Sequence, residues 1–379
     1  MNTSDTTFAD LWKQHDYSTV SHRIESATQS NVRRALAKEG RKLEMCDLEA
    51  LLSPSAEPFL EDIAQQSHRL TVARFGHTMQ MFAPLYLSNI CMNTCTYCGF
   101  SGQNQVPRKV LTEAEILTEA KELKNMGIDH ILLVAGEARK VGYTYYLDVV
   151  KLLRPMFSSI SLEVQPLSTS EYTSLANNGV SAVILYQETY DPVCYAKHHI
   201  KGPKANITNR LETPDRLGQA HVKKIGLGAL HGLGNWRTET VFLGLHLRYL
   251  ERRYWQTRYS VSFPRLRPHE GQKFSVCEVS ERNLAQMICA LRLWSNETEL
   301  VLSTRERPAF RDNSPRLGIT TMSAGARTNP GGYAQQSNDS LEQFVVNDNR
   351  SAGEIGSKLK SVGYEVVWKD WDATYDAQA

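Results

Sequence analysis

Eight short apolar runs, each followed by an amphipathic or loop segment, limit what this chain can become. They fall near residues 84–89, 131–135, 161–165, 182–186, 224–230, 259–263, 300–304 and 319–323. Runs of this length, spaced by helical periodicity, are the pattern of parallel strands covered by helices. The segments between them carry helix punctuation. Thr112 with Glu115 forms a capping box ahead of Ile116, Ala120 and Leu123, and Gly127 ends that stretch; Ser168 with Glu171 repeats the device, and Gly179 closes it. Eight strands in this alternation predict an α/β fold, a TIM-like (β/α)8 barrel, whose functional residues sit at the carboxyl ends of strands and in the loops after them.

Residues 1–75 are polar with helix-like spacing of Val32, Leu36 and Leu43, which predicts an N-terminal helical extension ahead of a barrel over 76–330. Residues 331–379 then form a C-terminal extension that packs on the barrel or on a partner, with Tyr364, Trp368, Trp371 and Tyr375 as its aromatic residues. The 43 basic residues nearly balance the 41 acidic ones, so no strong field points to nucleic acid or an anionic membrane. No apolar stretch is long enough to span a bilayer, and no basic, then apolar, leader opens the chain. Four of the seven cysteines are scattered singly, unlike a disulfide framework, and a reducing cytoplasm is the expected location.

The other three cysteines, Cys91, Cys95 and Cys98, follow the first predicted strand in the segment SNICMNTCTYCGF. Three thiolates from one tight loop suit a 4Fe-4S cube with one iron left open to a further ligand. Gly99 would let backbone pass close by, and Tyr97 places a ring beside the loop. A structural zinc site would instead call for a fourth Cys or His at motif spacing, and none follows within thirty residues; a zinc-stabilised binding protein is the alternative from another class. His198 and His199 read as loop polar groups rather than a metal pair, and His231, at a strand end, reads either as an active-site polar group or as packing behind it.

The Cys-x3-Cys-x-aromatic-Cys arrangement resembles the radical S-adenosylmethionine (SAM) superfamily. The stretches LLVAGEARK, SLEVQPL, LYQETYDPVCYAKHH, KIGLGALHGL, FPRLRP, STRERPAFRD and TMSAGARTNPGGY make the chain similar to its aromatic amino acid lyase group, nearest the tyrosine lyase of thiamine biosynthesis. The resemblance implies a 4Fe-4S cluster on the three cysteines and SAM as cosubstrate. It implies SAM contacts at Tyr97, Ala135, Gly136, Glu137, Gln165 and Glu188, with Ala135 in place of the family's first glycine, and adenine packing along 225–230. It also implies a carboxylate clamp at Arg305 and Ser323. A guanidinium fork suits a carboxylate, although an ion pair of Arg305 with Glu306 or Glu137 is the plainer reading of that residue.

The implied reaction splits L-tyrosine at Cα–Cβ to 2-iminoacetate (dehydroglycine) and p-cresol, with 5'-deoxyadenosine and methionine released. The implied partners are a thiazole synthase subunit and a low-potential electron donor such as flavodoxin. The sister lyases, the tyrosine lyase of hydrogenase maturation and tryptophan lyase, are the alternatives. The former carries a further cysteine-held cluster near its carboxyl terminus, whereas no cysteine follows Cys289 here.

Overall fold

A computed structural model of the chain describes residues 6–267, 276–334 and 342–368; Trp371 and Tyr375 lie outside the described residues. Eight parallel strands form a closed barrel: β1 (Thr78–Ser88), β2 (His130–Ala135), β3 (Ser159–Glu163), β4 (Val180–Glu188), β5 (Lys224–Ala229), β6 (Arg258–Ser262), β7 (Glu299–Leu302) and β8 (Thr321–Ser323). Neighbours in sequence are neighbours in the sheet, and β8 closes on β1 through Gln80↔Thr321, Met81↔Met322 and Phe82↔Ser323. The (β/α)8 barrel expected from the alternation is therefore present. A ninth strand, β9 (Glu365–Val367), pairs in parallel with the first residues of β1.

The strand limits differ from the sequence expectation where polar residues enter the sheet. β1 begins at Thr78, six residues before the apolar run, because its first half alternates buried Met79 and Met81 with partly exposed neighbours. β3 ends at Glu163, not Gln165. Both capping boxes are formed: Thr112 with Glu115 opens helix Glu113–Asn125, which buries Ile116, Ala120 and Leu123, and Ser168 with Glu171 opens helix Thr169–Asn177. Gly127 and Gly179 follow these helices at φ +80° and +104°, backbone that a side chain would strain.

Before the barrel, helices Met45–Leu52 and Leu60–Phe75 pack on the barrel helices Trp236–Arg253 and Glu281–Trp294. Phe8, from the first short helix, is fully buried and stacks on His246 with ring centroids 3.6 Å apart. Among the described residues no helix is long and apolar enough to cross a membrane.

Candidate active site

The segment after β1 turns back at the carboxyl end of the barrel and is held there by backbone contacts. Thr94 and Cys95 pair antiparallel with His199–Lys201, and the Cys95 amide donates to Ser101 Oγ at 3.2 Å. Arg108 spreads its guanidinium over four carbonyls, those of Asn89, Phe100, Ser101 and Asn104, at 2.6, 2.8, 2.7 and 3.0 Å. One planar fork thus fixes both ends of the cysteine loop. Gly99 does admit a close backbone, and it is the chain's own: a Cβ there would lie 3.0 Å from the Glu342 carbonyl.

The histidines behind the loop are props. His199 Nδ1 lies 2.8 Å from the Tyr195 carbonyl, so that nitrogen carries the proton, and Nε2 accepts from the Tyr97 hydroxyl at 2.7 Å. Burial drives the His199 pKa down to about 2, which keeps this ring neutral. His198 Nδ1 meets Thr96 Oγ1 at 2.6 Å. His231 is buried behind the strand ends, stacked on Phe263, with neither ring nitrogen bonded to a described residue.

Cys91, Cys95 and Cys98 all face one cavity, open at its mouth, together with Tyr97, Ala135, Gly136, Glu137 and Glu188. Burial, ahead of its charged neighbours, pushes the Cys95 thiol up to about 12, and burial with the Cys91 sulfur raises Cys98. Gly136 has to be glycine: a Cβ there would stand 2.4 Å from the Ile90 carbonyl and 3.1 Å from Cys91 Cβ. Glu137 Oε2 accepts from Asn93 Nδ2 at 2.6 Å, and its Oε1 accepts from Arg210 Nη1 at 3.1 Å. Glu188 sits at φ +71°, a left-handed conformation unusual for this residue type, where β4 slips register against β5. Its Oε1 pairs with Lys204 Nζ at 2.7 Å and lies 3.7 Å from Arg210.

A second cavity opens deeper in the barrel and is walled by Tyr86, Tyr186 and Phe344, with Ser303 and Ser323 on its polar side. Arg305 faces both cavities. Its guanidinium carbon lies 3.3 Å from the centre of the Phe344 ring, and its Nη1 reaches the Arg265 carbonyl at 3.4 Å. Glu306 pairs with Arg265 and Arg267 and Glu137 with Arg210, so neither carboxylate that sequence reasoning offered Arg305 is its partner. The Ser323 hydroxyl accepts from the Thr304 amide at 3.1 Å.

Gln165 lies beyond the end of β3 and lines neither of these two cavities; Glu163, two residues earlier on the same face of the strand, lines both. The glycines of β5 are filled by neighbouring side chains, since a Cβ on Gly226 would meet Ile184 at 2.6 Å and one on Gly228 the Tyr186 ring at 2.6 Å. Sequence reasoning also passed over Lys204, Arg210, Arg108, Gln343 and Phe344. None of these carries a periodic or motif signal, and only Glu163, inside SLEVQPL, was within reach of a better strand limit.

The pattern of the Radical SAM superfamily matches residues 85–242, and that of the Biotin and Thiamin Synthesis associated domain matches 262–365. The chain is 48% identical over 369 residues to 2-iminoacetate synthase of Escherichia coli strain K12, covering 97% of each chain, and equally to that of Salmonella typhimurium strain LT2. The chain belongs to the 2-iminoacetate synthase family of radical SAM enzymes. Among solved structures, the FeFe-hydrogenase maturase HydG from Carboxydothermus hydrogenoformans superposes with a TM-score of 0.89 at 29% identity, over 96% of this chain and 86% of that one. Methylornithine synthase shares the fold, at a TM-score of 0.72 and 21% identity over 90% of this chain and 99% of that one.

Radical SAM enzymes hold a 4Fe-4S cluster and SAM, and the residues present fit both. Three thiols line one cavity, whereas among the described residues no group of three or more His, Cys, Asp and Glu is gathered as a single ion requires. The open mouth, the close pass at Gly136 and the paired carboxylates Glu137 and Glu188 supply space, backbone and polar groups for a cosubstrate beside the thiols.

Proposed function

We propose that this protein is a tyrosine lyase that cleaves the Cα–Cβ bond of L-tyrosine to 2-iminoacetate and p-cresol for the thiazole of thiamine. The observation that carries the reading is Arg305, a half-buried guanidinium without a carboxylate ion-pair partner among the described residues, placed where a thiol-lined cavity meets an aromatic-walled one. A planar fork there would take the substrate carboxylate, and Tyr86, Tyr186 and Phe344 would enclose the phenol ring. Ser323 would supply a hydroxyl to the same end of the substrate.

Cys91, Cys95 and Cys98 would hold the cluster, and Tyr97, Ala135, Gly136, Glu137 and Glu188 would line the bound SAM. When bound, the two groups supply a carbon-centred radical that takes a hydrogen atom from the substrate. The chain's part is to orient the amino acid, to neutralise Glu137 and Glu188 through Arg210 and Lys204, and to keep water from the deeper cavity. The division into a helical extension over 1–75, a barrel over 76–330 and a C-terminal extension over 331–379 belongs to this reading. So do a cytoplasmic location, handover of product to a thiazole synthase subunit and reduction by a flavodoxin-like donor.

The test is anaerobic reconstitution with iron and sulfide, then incubation with SAM, a reductant and either tyrosine or tryptophan, with products identified by mass spectrometry. p-Cresol from tyrosine and no indole fragment from tryptophan is the expected result. 5'-Deoxyadenosine without any aromatic fragment would reject the lyase.

A further inference from the structure

Glu163 ends β3 at the boundary of the two cavities, and its carboxyl makes no hydrogen bond or ion pair with any described residue. Glu137 and Glu188, the other carboxylates of the site, are both paired. Charged and titratable groups surround it from several elements: Tyr86 on β1, Tyr186 and Glu188 on β4, Lys204 and Arg210 from the segment after β4, and Arg305 from the loop after β7. Burial, with the Glu188 charge second, lifts the Glu163 carboxyl to about 7, against the pull of the three cations. A half-buried carboxylate with no hydrogen-bonded partner of its own is costly to keep, so its place beside a guanidinium that faces the same two cavities leaves room for a cation that donates to it directly.

An α-amino acid brings such a cation. Its ammonium and its carboxylate share one carbon, so a molecule whose carboxylate rests on Arg305 carries its nitrogen into the space that Glu163 borders. We propose that Glu163 receives the substrate's α-ammonium group and removes one of its protons, leaving a neutral amine for hydrogen-atom removal. This inference rests on the tyrosine reading above. In the step, one N–H bond breaks with its electron pair left on nitrogen, an O–H bond forms on the Glu163 carboxyl, and no electron is gained or lost by either partner. Burial disfavours the ion pair relative to the neutral amine and acid, which draws the proton across. Loss of a hydrogen atom from the amine then leaves a neutral nitrogen radical rather than a buried radical cation. Proton removal by a positioned carboxylate of this kind is general-base catalysis.

Two measurements on the reconstituted protein test this. In binding, wild type should prefer tyrosine over 3-(4-hydroxyphenyl)propionate, which lacks the amine, by about tenfold or more, and Glu163→Gln should erase most of that preference while SAM affinity holds. In turnover, Glu163→Gln should lower p-cresol formation by about a hundredfold at pH 7, with the loss shrinking as rising pH deprotonates the free amine. Glu163→Asp should restore part of both, and it carries the same two readings if the Gln variant loses its cluster or its fold. Unchanged amine preference, a rate loss that is uniform across pH, or loss of SAM affinity alone would each overturn the proposal. Wild type that forms no p-cresol sinks the tyrosine reading itself; wild type that forms it, with an unaffected variant, sinks only the role of Glu163.

Discussion

Arg210 donates to Glu137 at 3.1 Å while its other nitrogen lies 3.7 Å from Glu188, so one buried guanidinium ties together a carboxylate just after β2 and the one that ends β4. Its side chain is 7% exposed, and it also donates to the Tyr186 carbonyl at 2.6 Å. Such a residue sets where both carboxylates point.

Replacing Arg210 with Leu leaves Glu137 without its buried cation. The expected cost is about 3 to 5 kcal/mol in folding stability, because removal of one member of a buried pair strands the other. Urea unfolding of the metal-free protein reads it, and SAM affinity should fall in parallel. A variant as stable as wild type would show that water reaches Glu137.

Gly136→Ala would push a methyl group into the Ile90 carbonyl and Cys91. Overpacking of this kind costs about 1 to 3 kcal/mol, and here the strain lands on Cys91, one of the three proposed cluster ligands. Iron content after reconstitution should fall sharply, while Cys95→Ala should abolish the cluster with little effect on the fold. Full iron loading in Gly136→Ala would contradict the close pass.

Arg305→Lys keeps the charge and loses the fork and the stacking on Phe344. Tyrosine affinity should drop by about ten- to a hundredfold, with SAM cleavage less affected. Equilibrium dialysis with labelled tyrosine checks it; an unchanged affinity counts against the carboxylate clamp.

Folding stability should fall in mild acid. Burial lowers the pKa of His246 from 6.5 to about 3, and that of His231, where Arg265 adds to burial, also to about 3. Since the folded-state pKa lies below the unfolded one, the unfolded chain takes up the proton first. The stability that each neutral ring supplies is whole above pH 6.5 and drains away between there and about pH 3. Each ring should cost about 1.4 kcal/mol at pH 5.5 relative to pH 7.5. Because Phe8 stacks on His246, the N-terminal helix should loosen first, and a His246→Gln variant should show a shallower pH slope in urea unfolding.

Much of the architecture was legible from residue order. The apolar runs marked all eight barrel strands, and the Thr112 and Ser168 capping boxes sit where the chain announced them. The cysteines share a cavity because they share a loop, which spacing alone conveys. The carboxyl end of β3 was misjudged because the apolar residues of SLEVQPL continue past the last sheet bond at Glu163.

What order alone determined is whatever depends on near neighbours: periodicity, helix caps, and three sulfurs within eight residues. Closure of the barrel decided the rest. It brings Arg210 to Glu137 across 73 residues and lays Gln343 on the Tyr86 hydroxyl across 257, at 2.6 Å. It also leaves Glu163 facing the site in place of Gln165. Contacts at such separations follow from sheet register and packing, which no local run of residues encodes.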